Sequence, residues 1–85
     1  MDPHKILFFP FVSEKSSQLI EGNNSLEFVV RRRASKKLIK HAAEQLFEVK
    51  VDRVNTRITK EGKRAIIKLN PDYKAEDIAT RIGIF

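Results

Sequence analysis

Eighty-five residues with 41% hydrophobic content, three glycines and three prolines describe one small folded domain, residues 1–85, rather than a disordered chain. There is no cysteine, which excludes disulfides and zinc–thiolate sites and leaves stability to the core. The net charge of +6 is uneven: residues 1–30 carry −2, residues 31–68 carry +9 and residues 69–85 carry −1, the pattern of a chain that meets a polyanion.

In chain order, Ile6 to Phe9 is a short apolar run stopped by Pro10, which suits an edge strand. The run is too short to cross a bilayer, and no small-residue cleavage pattern follows it, so neither membrane insertion nor a signal peptide is expected. Ser13 is expected to cap a short helix through Glu21, with Gly22 as its left-handed stop. Asn23-Asn24 then turns the chain. Leu26, Phe28 and Val30 alternate with Glu27, Val29 and Arg31 as a strand.

Ser35 caps the next helix, in which Leu38, Ile39, Ala42, Ala43, Leu46 and Phe47 recur at helical spacing. Val54, Thr56 and Ile58 alternate with Arg53, Asn55, Arg57 and Thr59. Ala65, Ile67 and Leu69 alternate with Arg64, Ile66 and Lys68. With Lys60-Glu61-Gly62 between them, the two runs make a hairpin. A last helix places Ala75, Ile78, Ala79 and Ile82 on one stripe and stops at Gly83. The order strand–helix–strand–helix–strand–strand–helix predicts an α+β fold: an antiparallel four-stranded sheet with three helices packed on one face.

Helices should cover the face bearing Leu26, Phe28, Val30, Val54, Ile58, Ala65, Ile67 and Leu69. The opposite face then gathers Arg31, Arg53, Asn55, Arg57, Arg64 and Lys68, with Glu27 as nearly its only acid. Arg32, Arg33, Lys36 and Lys37 join it at the strand end, and Lys15, Lys40 and Lys63 complete the expected RNA contacts. Lys36 and Lys37 occupy the first turn of a helix, where unpaired backbone N–H groups are already positive and each cation costs roughly 0.3–1 kcal/mol. A phosphate reverses that sign. With no aromatic pair on the basic face for stacking bases, recognition by shape and phosphate is expected, of folded RNA rather than DNA.

These residues also resemble a known family. "FVSEKSSQLIE" (11–21), "AAEQLFEVKVDRVNT" (42–56), "KRAIIKL" (63–69) and "DYKAEDIATRIGIF" (72–85) are similar, in this order, to segments of the universal large-subunit ribosomal protein of the polypeptide exit tunnel, family twenty-three of that set. The short Lys60-Glu61-Gly62 turn leaves no room for the long bacterial hairpin, and the basic N-terminal extension of eukaryotic members is absent, so the resemblance is to archaeal members. It implies a cytoplasmic structural component of the large ribosomal subunit that binds large-subunit rRNA. It also implies a place at the tunnel rim beside neighbouring ribosomal proteins, where nascent-chain factors such as the signal recognition particle dock. The family's exit-facing acidic position falls on Glu14, whose other reading is a first-turn glutamate that complements the helix dipole.

Phe8, Phe9 and Phe11 beside a small core read as core before contact patch, and His41 as a surface or phosphate-contacting residue. Asn55 and Arg57 raise the alternative of a small hydrolase of the acylphosphatase type. That chemistry needs a glycine-rich anion loop, and the sequence has none. It also lacks paired carboxylates, a Ser/His/Asp set and a metal cluster, so no catalytic residue, metal, cofactor or small-molecule substrate is expected.

Overall fold

A computed structural model of the chain describes residues 2–85. Four strands, β1 (Leu7–Pro10), β2 (Ser25–Val30), β3 (Val51–Thr59) and β4 (Gly62–Leu69), form one antiparallel sheet in the order β1-β2-β4-β3. A 3₁₀ turn, Pro3–Lys5, precedes β1; a π-helical segment, Gln18–Gly22, precedes β2. Helices α1 (Lys36–Phe47) and α2 (Ala75–Arg81) follow β2 and β4. The expected α+β fold, four-stranded sheet and three helices are all present.

Local chemistry explains most boundaries. Ser35, in extended conformation, accepts the Leu38 N–H at 3.1 Å and so starts α1. Lys60 and Glu61 turn the β3–β4 hairpin, and Gly62 closes it at φ 121°, a conformation that side chains disfavour. Gly83 ends α2 at φ 85°. Pro10 sits on the edge strand opposite Phe28, where its missing N–H costs no ladder bond to a further strand.

The core fills the space between one sheet face and the helices. Leu26, Phe28, Val30, Ala65, Ile67 and Leu69 meet Ile39, Ala42, Ala43 and Phe47 of α1 and Ala75, Ile78 and Ala79 of α2. The Phe28 and Phe47 rings lie 5.6 Å apart. Full burial of side chains such as Ile39, Ile67 and Ile78 stabilises the fold by about 1.5–3 kcal/mol each.

The first helix departs from expectation. Ser13 forms a tight turn, its Oγ accepting the Lys15 N–H while its own N–H donates to Ser16 Oγ. Helical structure begins only at Ser16, and Gly22 remains inside it. The left-handed residue is instead Asn24, at φ 51°. Its amide Nδ2 donates to the carbonyl of Tyr73 at 2.8 Å, and its Oδ1 accepts the Ala75 N–H at 2.7 Å. Since Lys74 offers α2 no side-chain cap, Asn24 caps that helix from 51 residues away.

Two core assignments change as well. Ile58 has the inward phase but is 55% exposed. Nine-residue β3 extends for about 30 Å, against about 18 Å for the twelve residues of α1, so the strand overhangs its cover. Phe8 and Phe9, read as core, are exposed on the edge strand, while Phe11 is half-buried. A register irregularity between Leu7 and Phe9 spends the core-facing position of β1 on Leu7 and turns both rings outward.

Candidate nucleic-acid interface

The face of the sheet away from α1 and α2 is organised in cross-strand rows. Arg57 stands opposite Arg64, which stands opposite Val29; Asn55, Ile66 and Glu27 form the next row; Arg53, Lys68 and Ser25 form the third. A β-bulge between Val51 and Arg53 sets this phase, so that Val51 and Val54 both reach the core while Arg53 faces outward. Side chains directly opposite lie about 4.5–5.5 Å apart at Cβ, and like charges so placed repel. Two of the three rows therefore hold a cation pair that destabilises the free sheet. Arg53, Asn55 and Arg57 are exposed, and Lys68 is half-buried.

Between the cation rows lies an acid whose role alternation alone does not reveal. Glu27 has a side chain only 7% exposed, with Oε2 at 3.8 Å from Arg64 Nε and 4.0 Å from Arg57 Nη2. These distances allow Coulomb attraction but exceed hydrogen-bond range. The carboxylate thus partly offsets the Arg57–Arg64 repulsion. Arg64 is itself just 13% exposed, because the Phe11 ring lies over its guanidinium at 4.0 Å. Phe11 is held there by its N–H, which donates to the Glu27 carbonyl at 2.9 Å.

The segment after Phe11 wraps around the sheet edge where β1 has ended. Ile20 enters the core, whereas Phe11, Lys15 and Leu19 border a cleft shared with Glu27, Arg57, Arg64 and Ile66. Lys15 therefore joins the outer face. The central strands carry no aromatic pair on this face, as expected; the wrapping segment adds Phe11 over Arg64, and Phe9 of the edge strand stands opposite Val29 in the first row.

The Arg31–Lys37 joint leaves β2 at the end of the sheet nearest the Arg57–Arg64 row. Arg31, Arg32, Arg33, Lys36 and Lys37 are all exposed, and no acidic residue occupies the first turn of α1 to offset its positive end. Lys63 lies elsewhere. It shares the core-side phase of Ala65 and Ile67, and its ammonium donates to the Ala34 carbonyl at 2.6 Å, fastening the joint to the hairpin. Lys40 is on the outer surface of α1, beside Lys37, His41 and Glu44 in a shallow groove. Glu44 also accepts the Val51 N–H at 3.0 Å, fixing the start of β3. Glu14 is exposed in the turn that precedes the π-helical segment, outside its first turn.

The expected cations thus fall into two connected groups, Lys15, Arg53, Arg57, Arg64 and Lys68 on the sheet with Asn55, and Arg31–Lys37 with Lys40 at α1. Lys63 is structural. Among the described residues no cluster of three metal-ligating side chains occurs, and no helix is long and apolar enough to cross a membrane.

Comparison with known proteins adds an independent finding. A family model described as ribosomal protein L23 matches residues 5–75. The large ribosomal subunit protein uL23 of Methanothermobacter thermautotrophicus is 50% identical over 86 aligned positions, covering the whole of both chains. That of Methanobrevibacter smithii is 48% identical with the same coverage. The Thermoplasma acidophilum protein is 46% identical over 80 positions, covering 94% of this chain and 95% of its own.

Proposed function

The chain belongs to the ribosomal protein L23 family, and from that membership we propose that it binds large-subunit rRNA through its outer sheet face and the Arg31–Lys37 joint. It is a structural component of the large, cytoplasmic ribosomal subunit, similar to archaeal members, and its family is one of ribosomal proteins rather than enzymes. The observation that carries the rRNA reading is the pairing of Arg57 with Arg64 and Arg53 with Lys68 across neighbouring strands. Such pairs oppose folding and find compensation in phosphates. The positive end of α1 carries Lys36 and Lys37 without an acid, and supports the same reading.

In the assembled subunit the protein contributes to the rim of the polypeptide exit tunnel beside neighbouring ribosomal proteins. The exposed Glu14 turn supplies a docking residue for nascent-chain factors such as the signal recognition particle. It is open to solvent in the turn before the π-helical segment.

Hydroxyl-radical footprinting of large-subunit rRNA with the purified protein tests the RNA reading. Discrete backbone protections are expected, weakened together in a variant carrying Arg53→Gln, Arg57→Gln and Lys68→Gln. A folded triple variant that leaves every protection unchanged would refute the sheet face as the contact surface.

A further inference from the structure

Resting on the rRNA reading above, we propose that the cleft between the wrapping segment and the sheet is a subsite for one unpaired guanosine of the bound RNA, read by Glu27. The cleft measures about 460 Å³, within the range of small-ligand pockets. Its parts match an extruded nucleotide. Phe11 and Ile66 give apolar surfaces for the faces of a base, Lys15 and Arg57 supply cations for the flanking phosphates, and Glu27 is the acceptor among them.

Glu27 carries the argument. Its side chain is more than nine-tenths buried, yet Oε2 has no hydrogen-bond partner; Arg64 Nε beside it is unpartnered too. Buried polar atoms in folded proteins are almost always satisfied, so an orphaned pair lining a cleft points to a group that the free protein lacks. The acceptor is a carboxylate, which takes two parallel donors best. Among the four RNA bases only guanine presents two adjacent donors, N1–H and the N2 amino group, on its Watson–Crick edge. Adenine and cytosine each offer an amino group beside an acceptor, and uracil a single N–H between two acceptors. Arg57, 63% exposed, swings from Glu27 to a phosphate and uncovers the carboxylate as the base enters. Arg64, clamped under Phe11, stays in place beside Glu27.

The test uses the full chain and pentaribonucleotides UUGUU, UUAUU and UUUUU, with GMP and inorganic phosphate as further probes. Binding is read from NMR shifts of the Ile66 methyls and the Arg64 Nε–H. UUGUU should bind about tenfold tighter than UUAUU or UUUUU, the discrimination of one bidentate pair, and tighter than GMP, which carries one phosphate where the oligomer has one on each side of the base. Glu27→Gln should abolish the preference while its spectrum shows the fold intact. Should that variant unfold, Ile66→Ala at the cleft wall, read at the Arg64 Nε–H, should weaken UUGUU selectively, and Lys74→Gln, outside the cleft and the proposed RNA surface, should leave the preference unchanged. Equal binding of the three oligomers, or shifts reproduced by phosphate alone, would overturn the subsite. GMP binding as tightly as UUGUU would overturn the RNA origin of the guanine. Discrete rRNA protections by the unmodified protein alongside equal oligomer binding would sink the subsite alone; absence of any protection by the unmodified protein would sink the rRNA reading.

Discussion

Replacing Arg31, Arg32, Arg33, Lys36 and Lys37 together by glutamine separates RNA binding from folding. All five side chains are exposed, and among the described residues none forms an ion pair, so their neutralisation removes no internal partner. Lys36 and Lys37 stand in the first turn of α1 with no acid nearby; relieving them should stabilise the fold by about 0.6–2 kcal/mol, at roughly 0.3–1 for each charge. For a domain of this size that raises the melting temperature by roughly 4–8 °C per kcal/mol. If each cation meets one phosphate, the slope of log affinity against log salt should become shallower by about 3.5–4.5. At a contribution of −4, the joint alone accounts for roughly a 250-fold fall in affinity between about 50 and 200 mM salt. Urea denaturation and an rRNA-fragment titration across that salt range measure the two effects. A variant destabilised by more than about 1 kcal/mol, or one whose salt slope matches the unmodified protein, would refute the reasoning.

The other predictions concern single positions. Asn24→Gly keeps the left-handed backbone without strain but removes the bonds to Tyr73 and Ala75. It should cost about 1–3 kcal/mol in urea denaturation and speed hydrogen exchange at the Ala75 amide; unchanged stability would show the side chain idle. Ile39→Ala, at a fully buried position of α1, should cost about 2–5 kcal/mol with the RNA affinity of the folded fraction intact. Leu46→Ala, half-buried on the same helix, should cost less, and equal losses would argue against the core assigned here. Glu14→Ala should move stability by less than about 0.5 kcal/mol, since the residue precedes the helix. In assembled ribosomes it should weaken signal recognition particle binding by about 1–3 kcal/mol with rRNA incorporation unchanged. Unchanged factor affinity removes the docking role.

Features set by neighbours in sequence were legible. The Ser35 cap, the apolar stripe of α1 and the alternation of Ala65, Ile67 and Leu69 each depend on a few adjacent residues, and the structure reproduces them. Alternation also placed Arg53, Arg57, Arg64 and Lys68 on one face. What failed depends on distant parts of the chain. Gly22 is the better local stop, but Asn24 takes the left-handed position because its amide reaches Tyr73 and Ala75. Glu27 has the phase of a solvated residue and is buried because Phe11 and the wrapping segment fold over its row. Lys63 counts as one more cation until the nearby Ala34 carbonyl claims its ammonium. Ile58 has the right phase for the core; only the unequal reach of strand and helix leaves it outside.

The Asn24 bridge orders events as the chain folds. Seven-residue α2 is far below the length of about 12–15 residues at which helices become even marginal alone. Its first N–H finds an acceptor on Asn24, while Leu69, the last residue of β4, donates its N–H to the Asn24 carbonyl. The C-terminal helix therefore has no local nucleus and settles only when the turn before β2 is already in place. Asn24 leaves the translating ribosome well before Ala75, so the N-terminal half waits as an unfinished platform and the last turn to be made closes the molecule. Side chains of Ala75, Ile78 and Ala79 then seal the core from below. A chain released short of α2 would expose that apolar floor, and so would present itself to quality control rather than to RNA.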